Sequence, residues 1–74
     1  MMLKIGYFAE PSGPGIQPPT LWESSGEFAT YSDVLTEARQ TAKGIEAHSF
    51  VIEWSSGTTD RYVRDGDAWR RLDP

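Results

Sequence analysis

The sequence of 74 residues contains no cysteine and only one histidine, His48. Without cysteine the chain has neither a disulfide framework nor a thiolate zinc site, so its stability has to come from packing or from a partner. His48 has no second histidine and no run of carboxylates at ligand spacing, whereas a metal site needs several such groups to converge. We therefore expect no metal and no other cofactor, and we interpret His48 as a polar residue in a loop.

Recognisable catalytic motifs are also missing. The serines lie in no nucleophile-elbow sequence. The segment Gly13-Pro-Gly15 is not followed by the Gly-Lys-Ser/Thr of a phosphate-binding loop, and its proline lacks a backbone donor that such a loop needs. The neighbouring carboxylates Asp65 and Asp67 are typical of a turn. We therefore expect a protein without enzymatic activity.

Long apolar runs are absent as well: the longest uninterrupted apolar segment is far too short to span a bilayer. The first ten residues also lack the basic segment followed by a long apolar run that marks a secretion signal. These two absences predict a soluble protein of the cytoplasm that does not associate with membranes.

Basic residues are few, since seven Lys and Arg stand against eleven Asp and Glu, giving a net charge of −4. This charge argues against direct, sequence-independent binding to nucleic acid, because such binding depends on neutralising phosphates. Residues 1–60 hold three basic and eight acidic residues, while residues 61–74 hold four arginines and three aspartates. An acidic body suits a basic protein partner, and a surface charged only for solubility is the alternative.

Aromatic and β-branched residues, by contrast, are plentiful between residues 50 and 72, where Ser-Gly and Asp-Gly pairs separate them. This pattern predicts three consecutive strands joined by tight turns. A two-residue turn is expected at Asp65-Gly66, because type I′ turns favour this pair. The resulting register places three pairs directly opposite each other: Tyr62 with Trp69, Arg64 with Asp67, and Asp60 with Arg71.

The preceding turn is predicted as a three-residue loop, Ser55-Ser56-Gly57, with Gly57 in the left-handed conformation. A loop of two or four residues would instead reverse the face of the first strand. With three residues, the apolar face that receives a helix consists of Phe50, Ile52, Trp54, Tyr62 and Trp69. The opposite, mixed face consists of Val51, Glu53, Arg61, Val63, Ala68, Arg70 and Leu72.

The N-terminal part predicts two further strands. Leu3, Ile5 and Tyr7 form the apolar face of the first strand. Residues 10–19 are predicted to form an exposed, flexible loop, because they hold four of the five prolines. The second strand is placed at residues 27–31, after a turn or bulge at residues 24–26.

Two apolar residues near this loop allow alternative interpretations. Trp22 either covers the edge of the core or is an exposed recognition residue, and we favour the cover. Ile16 either anchors a partner or folds back onto the domain.

One helix is predicted between the second and third strands. Thr30, or alternatively Ser32, is expected to cap it, and Gly44 is expected to end it. Acidic residues lie early and basic residues late, as the helix dipole favours. The apolar stripe of this helix consists of Val34, Leu35, Ala38 and Ala42, with Ile45 closing the end.

Together these elements predict one α+β domain over residues 1–74. It is a small two-layer fold in which an antiparallel sheet of four to five strands, in the chain order β-β-α-β-β-β, packs on one helix. Arg61 and Arg70 lie near each other on the mixed face and are candidates for contact with a protein partner, since arginine is favoured at interfaces.

This order of elements, together with Gly57, Tyr62, the Asp65-Gly66 pair and Trp69 at their spacing, resembles small anti-CRISPR proteins of phages and mobile elements that act on type I CRISPR complexes. The resemblance covers residues 28–73. The sequence departs from that family in its proline-rich loop and its acidic charge, so no binding residue is transferred from the family.

The resemblance implies an inhibitor that binds a Cas subunit of a type I surveillance complex in the host bacterial cytoplasm and blocks target DNA binding. In that mode acidic side chains would face the lysines and arginines that normally hold nucleic acid. The alternative is a small accessory module that docks on an unrelated protein. The acidic candidates for partner contact are Glu10, Glu23, Glu27, Glu37, Glu46 and Glu53.

Overall fold

The computed structural model describes residues 2–72. Its elements are β1 (Met2–Phe8), β2 (Thr20–Glu27), α1 (Tyr31–Gly44), β3 (Ser49–Trp54), β4 (Thr59–Asp65) and β5 (Ala68–Leu72). The strands form one antiparallel sheet in the spatial order β2-β1-β3-β4-β5, and α1 packs on one face of it. The predicted two-layer α+β fold and the chain order of its elements are confirmed.

The core lies between α1 and the three central strands. Alternation along β1 directs Leu3, Ile5 and Tyr7 toward the helix, and small alanines let the helix approach the sheet closely. The buried residues are Leu3, Ile5, Tyr7, Val34, Ala38, Ala42, Ala47, Phe50, Ile52 and Tyr62. They include most of the predicted apolar stripe, and Leu35, Trp54 and Trp69 pack against them half-buried.

The loop between β3 and β4 is the predicted one. Trp54 donates its backbone N–H to the carbonyl of Thr58 at 2.9 Å, which leaves Ser55, Ser56 and Gly57 as a three-residue loop. Gly57 has a φ of +94°, in the left-handed region that glycine adopts without steric cost. The predicted division of β3, β4 and β5 into an apolar and a mixed face is therefore correct.

The register predicted for the β4–β5 hairpin is wrong, because the turn lies one residue later. Asp65 pairs with Ala68, so that Gly66 and Asp67 form the loop. Gly66, with a φ of +66°, occupies the first loop position, as in a type II′ turn, whereas the prediction had placed it second. Each residue of β4 pairs with the residue of β5 two positions later than predicted. A shift by two keeps every side chain on its predicted face but gives it a different partner.

Of the three predicted pairs, one survives as a contact. Tyr62 lies opposite Arg71, and Arg64 lies opposite Trp69 instead of Asp67. Arg71 still forms an ion pair with Asp60 at 2.7 Å, although the two residues are diagonal neighbours.

The second strand was placed wrongly at residues 27–31. It runs from Thr20 to Glu27, and Tyr31 already begins the helix. The predicted interruption at residues 24–26 is part of the strand, because pairing with β1 holds these polar residues extended at the edge of the sheet. Trp22 is 56% exposed on this edge, so the favoured interpretation of Trp22 as a cover over the core is wrong.

The helix begins as predicted, since the Oγ1 of Thr30 accepts a hydrogen bond from the backbone N–H of Asp33 at 3.2 Å. Gly44 is its last residue. The prediction that Ile45 closes this end is wrong: Ile45 is 40% exposed, and Ala47 is buried there instead. The chain reverses at Glu46, whose φ of +55° is unusual for a residue with a side chain.

Candidate functional site

Asp60 on β4 holds the most connected group of polar side chains among residues 2–72. Its Oδ2 accepts hydrogen bonds from the Tyr31 hydroxyl at 3.1 Å and the Trp54 indole N–H at 3.0 Å. Its Oδ1 accepts from Arg71 at 2.7 Å, and the Tyr31 and Tyr62 hydroxyls lie 2.8 Å apart. The rings of Tyr31 and Trp54 stack with their centres 5.4 Å apart. This group ties the start of α1 to β3, β4 and β5.

Neither of the two tyrosines with a shifted pKa suits acid–base catalysis near neutral pH. Burial is the largest cause that raises the pKa of Tyr31, followed by the neighbouring Tyr62 and then by Asp60. Burial also raises the pKa of Tyr7, outweighing the opposite effect of the Thr41 and Ser24 hydroxyls. Although these hydroxyls are near, the Tyr7 hydroxyl makes no hydrogen bond of acceptable length and angle. Both tyrosines therefore keep their protons near neutral pH.

No group of three or more His, Asp or Glu side chains within residues 2–72 is arranged to hold a metal ion. In the same part of the chain, no helix combines the length and the apolar character needed to cross a bilayer.

No helix of residues 2–72 covers the sheet face turned away from α1, and we call this face the open face. Alternation along the strands places Phe8 and Val51 near its middle and Val63 and Leu72 toward β5. Phe8, Val51 and Val63 are half-buried, and Leu72 is 37% exposed. The open face therefore carries one apolar side chain on each of β1, β3, β4 and β5, which we call the apolar strip, and Arg61 lies among them.

The carboxylates predicted for partner contact fall into two sets. Glu23, Glu27 and Glu53 share the open face, since they lie opposite Gly6, Met2 and Lys4 on β1. Lys4 lies between them and forms an exposed ion pair with Glu23 at 3.8 Å. The other three carboxylates are also exposed and are not part of this face: Glu10 in the loop, Glu37 on α1 and Glu46 after it.

The two predicted arginines also lie on the open face. Arg61 is exposed opposite Val51 and Leu72. Arg70 pairs across the hairpin with Val63 and forms an ion pair with Asp65 at 3.8 Å. Sequence reasoning thus placed both arginines on the correct face, although it assigned Arg70 no acidic partner.

The proline-rich loop of residues 10–19 forms a groove with the open face. Its base is closed by a hydrogen bond of 2.9 Å from the Ala9 N–H to the Pro19 carbonyl. The groove has a volume of about 520 Å³ and lies beside the half-buried apolar residues, with Arg61 among its lining. Ile16 lines the groove and is 55% exposed, so it lies outside the core.

A second group of cations was not anticipated from the sequence. Arg39 and Lys43 of α1 line a cleft of about 370 Å³ together with Arg64 of β4 and Trp69 of β5. The spacing of four residues places Arg39 and Lys43 on one side of the helix, and this signal was available in the sequence. The approach of Arg64 was not, because it depends on the register of the β4–β5 hairpin.

No family model, no curated protein and no solved structure matches this chain. The resemblance to anti-CRISPR proteins accordingly rests on the sequence pattern of residues 28–73, and the arguments about function rest on the surfaces described above.

Proposed function

We propose that this protein is a non-enzymatic binding protein whose open face docks on a basic surface of a protein partner. The observation that carries the proposal is the exposed set of Glu23, Glu27 and Glu53 on one face, beside an apolar strip. Protein interfaces combine apolar contacts with polar and charged ones. The carboxylates provide charge complementarity, and the apolar strip provides area to bury.

For the partner, we propose a Cas subunit of a type I surveillance complex, in the cytoplasm of a bacterial host. A subunit that handles DNA presents lysines and arginines for phosphates, and a carboxylate-bearing face competes for the same cations. The protein would then act as a stoichiometric inhibitor of target DNA binding. The sequence resemblance supports this choice, and the net charge of −4 suits it.

The test measures binding to a panel of purified type I complexes, together with their binding of target DNA. We expect association with at least one complex, weaker association at higher salt, and reduced DNA binding without cleavage. If no complex associates, the open face serves a different partner, and the protein is better interpreted as an accessory module.

Charge reversal locates the surface. The double variant E23K/E27K should bind its partner more weakly, while its melting temperature stays nearly unchanged, because exposed charges contribute only about 0 to 1 kcal/mol each to folding. The control E37K/E46K changes the net charge equally but lies off the open face. Equal losses of binding in both variants would show that only net charge matters and would contradict docking through the open face.

A further inference from the structure

The cleft between the second half of α1 and the β4–β5 hairpin, which we call the hairpin cleft, concentrates positive charge on an acidic protein. Arg39 and Lys43 enter it from the helix, and Arg64 enters it from the sheet. Among residues 2–72, Asp67 is the one acidic side chain that lines it. The cleft lies at the β5 edge of the sheet, away from the edge strand β2 that carries Glu23 and Glu27.

Within residues 2–72, the cations of the hairpin cleft form no ion pair. Three of the seven basic residues form ion pairs in the described part of the chain: Lys4, Arg70 and Arg71. Four have no acidic partner there, and three of these four line the hairpin cleft. Since the chain has eleven acidic residues, a shortage of carboxylates does not explain why these cations are left together.

Trp69 holds one of these cations in place. The guanidinium of Arg64 lies over the Trp69 ring, 5.3 Å from its centre, in a cation–π contact. The ring is itself anchored on buried Phe50, with centres 5.0 Å apart and an angle of 60° between the planes. Arg64 is therefore partly ordered before any ligand arrives, which lowers the entropic cost of binding.

We propose that the hairpin cleft binds an acidic peptide segment of a protein partner, through two or more neighbouring carboxylates. Arginine presents a planar fork of donors that matches a carboxylate, and the cleft contains two arginines and a lysine. Because three cations face a single aspartate, one carboxylate would leave the site positively charged. This inference is independent of the open face and of the partner proposed for it.

Two other anionic ligands fit less well. Single-stranded nucleic acid needs a free aromatic face and a continuous basic track. Here Arg64 occupies one face of Trp69, and the next arginines along β5 are bound to Asp65 and Asp60. A free phosphate is favoured by backbone N–H groups at the start of a helix, whereas this cleft lies beside the second half of α1.

The experiment is a titration of the whole, isotopically labelled protein with a blocked hexaglutamate peptide, followed by NMR at low ionic strength. We expect saturable shifts of the backbone amides of Arg39, Gln40 and Lys43 and of the Trp69 indole N–H, and weaker affinity as salt is added. A hexaglutamine peptide, equal in length and uncharged, should leave these signals in place. If hexaglutamate produces no saturable shifts, the proposal is wrong.

Paired variants separate the cleft from general charge. R39Q/K43Q should lower the affinity for hexaglutamate at least about tenfold. The control K4Q/R61Q also removes two positive charges, but from the open face. It should change the affinity for hexaglutamate by less than about twofold. Melting temperatures of both variants are measured as well. If Lys43 only stabilises the C-terminal end of α1, R39Q/K43Q lowers the melting temperature but not the affinity for hexaglutamate.

Competing ligands complete the test. Inorganic phosphate and a thymidine oligonucleotide are titrated under the same conditions. Weaker shifts with both than with hexaglutamate support a peptide site. If either ligand saturates the cleft signals and hexaglutamate does not, or if both double variants lose affinity equally, an acidic peptide is not the ligand of this cleft.

Discussion

At the scale of single residues, Asp60 is a central link between the elements of the fold. Its carboxylate is the common acceptor for Tyr31 at the helix start, Trp54 on β3 and Arg71 on β5. Its side chain is only 15% exposed, so the donors around it have little water to replace the aspartate if it is removed.

We expect Asp60→Ala to lower the free energy of unfolding by about 2 to 4 kcal/mol, because it leaves the Trp54 N–H and the Tyr31 hydroxyl without their acceptor. Urea unfolding measures the change. Asp65→Ala is the control, since the ion pair of Asp65 with Arg70 is 3.8 Å long and exposed. Its expected cost is below about 1 kcal/mol. Similar costs for both variants would contradict the role assigned to Asp60.

Tyr7 gives a second prediction at this scale. Its buried hydroxyl makes no hydrogen bond of acceptable geometry, so Tyr7→Phe should leave stability near pH 7 unchanged or raise it by about 1 kcal/mol. Burial raises the pKa of Tyr7 in the folded state above the ordinary value of about 10. The free energy of unfolding is therefore unaffected by this titration below about pH 10 and decreases as the pH rises from there through the folded pKa of Tyr7.

Unfolding at neutral pH and above pH 10 checks both statements. Between neutral pH and a pH above 10, the free energy of unfolding should decrease less for Tyr7→Phe than for the original protein. Tyr31, whose pKa is also raised, is present in both proteins and therefore does not contribute to this difference. A variant that is destabilised by several kcal/mol at neutral pH would mean that the hydroxyl has a bonded partner.

At the scale of elements, two glycines in open space have opposite conformational roles. Gly66 begins the β4–β5 turn with a φ of +66°, while Gly44 ends the helix without a positive φ, and a Cβ at either position would meet no atom within 4 Å. Steric contact with neighbours therefore does not distinguish the two sites, and backbone conformation does.

Gly66→Ala should destabilise the protein by about 1 to 2 kcal/mol, because alanine is strained at positive φ. Gly44→Ala should instead stabilise it by up to about 1 kcal/mol, because alanine is the better helix former. Thermal unfolding of the two variants side by side is the measurement. A change of the same sign in both would contradict the assigned conformations.

Elements with strong local signals were predictable, and elements fixed by pairing were not. Alternation gave β1, and the Thr30 cap gave the helix start, because each signal lies within a few residues. The segment Asp65-Gly66-Asp67 fits a type I′ turn at Asp65-Gly66 or a type II′ turn at Gly66-Asp67, and only the pairing of β4 with β5 selects between them. The polar residues of β2 give almost no signal, since an edge strand is extended by its neighbour.

The candidate surfaces, too, were predictable where they depend on local sequence and not where they depend on strand pairing. The face of Glu53 and Arg61 was predictable, because it depends on alternation and on the length of one loop. The grouping of Glu53 with Glu23 required the pairing of β1 with both β2 and β3. The hairpin cleft required a helix, a register and a packing geometry together, which no local pattern contains.

At the scale of the whole molecule, charge is distributed unevenly over the two edges of the sheet. Glu23 and Glu27 belong to the β2 edge, and the unpaired cations of the hairpin cleft lie at the β5 edge. The proposed open-face interface and the hairpin cleft therefore leave room for two partners of opposite charge at the same time.

This distribution predicts no retention of random duplex DNA at physiological salt. The net charge of −4 repels phosphates, and the unpaired cations of the cleft cover too short a distance to follow a duplex. A filter-binding assay with micromolar protein tests this. Retention that falls steeply as salt is added would contradict it.

The position of β1 between β2 and β3 also affects how the protein is made. Leu3 lies between Gly26 of β2 and Trp54 of β3, so one of the two neighbours of β1 is synthesised only after β2 and α1. Until β3 emerges, β1 lacks that neighbour, and closing a contact over such a separation costs more chain entropy than closing a local contact. Of the five strands, β1 is thus translated first but gains its second neighbour only after β2 and α1 have been made, and the unfinished chain is open to proteases and chaperones during that interval.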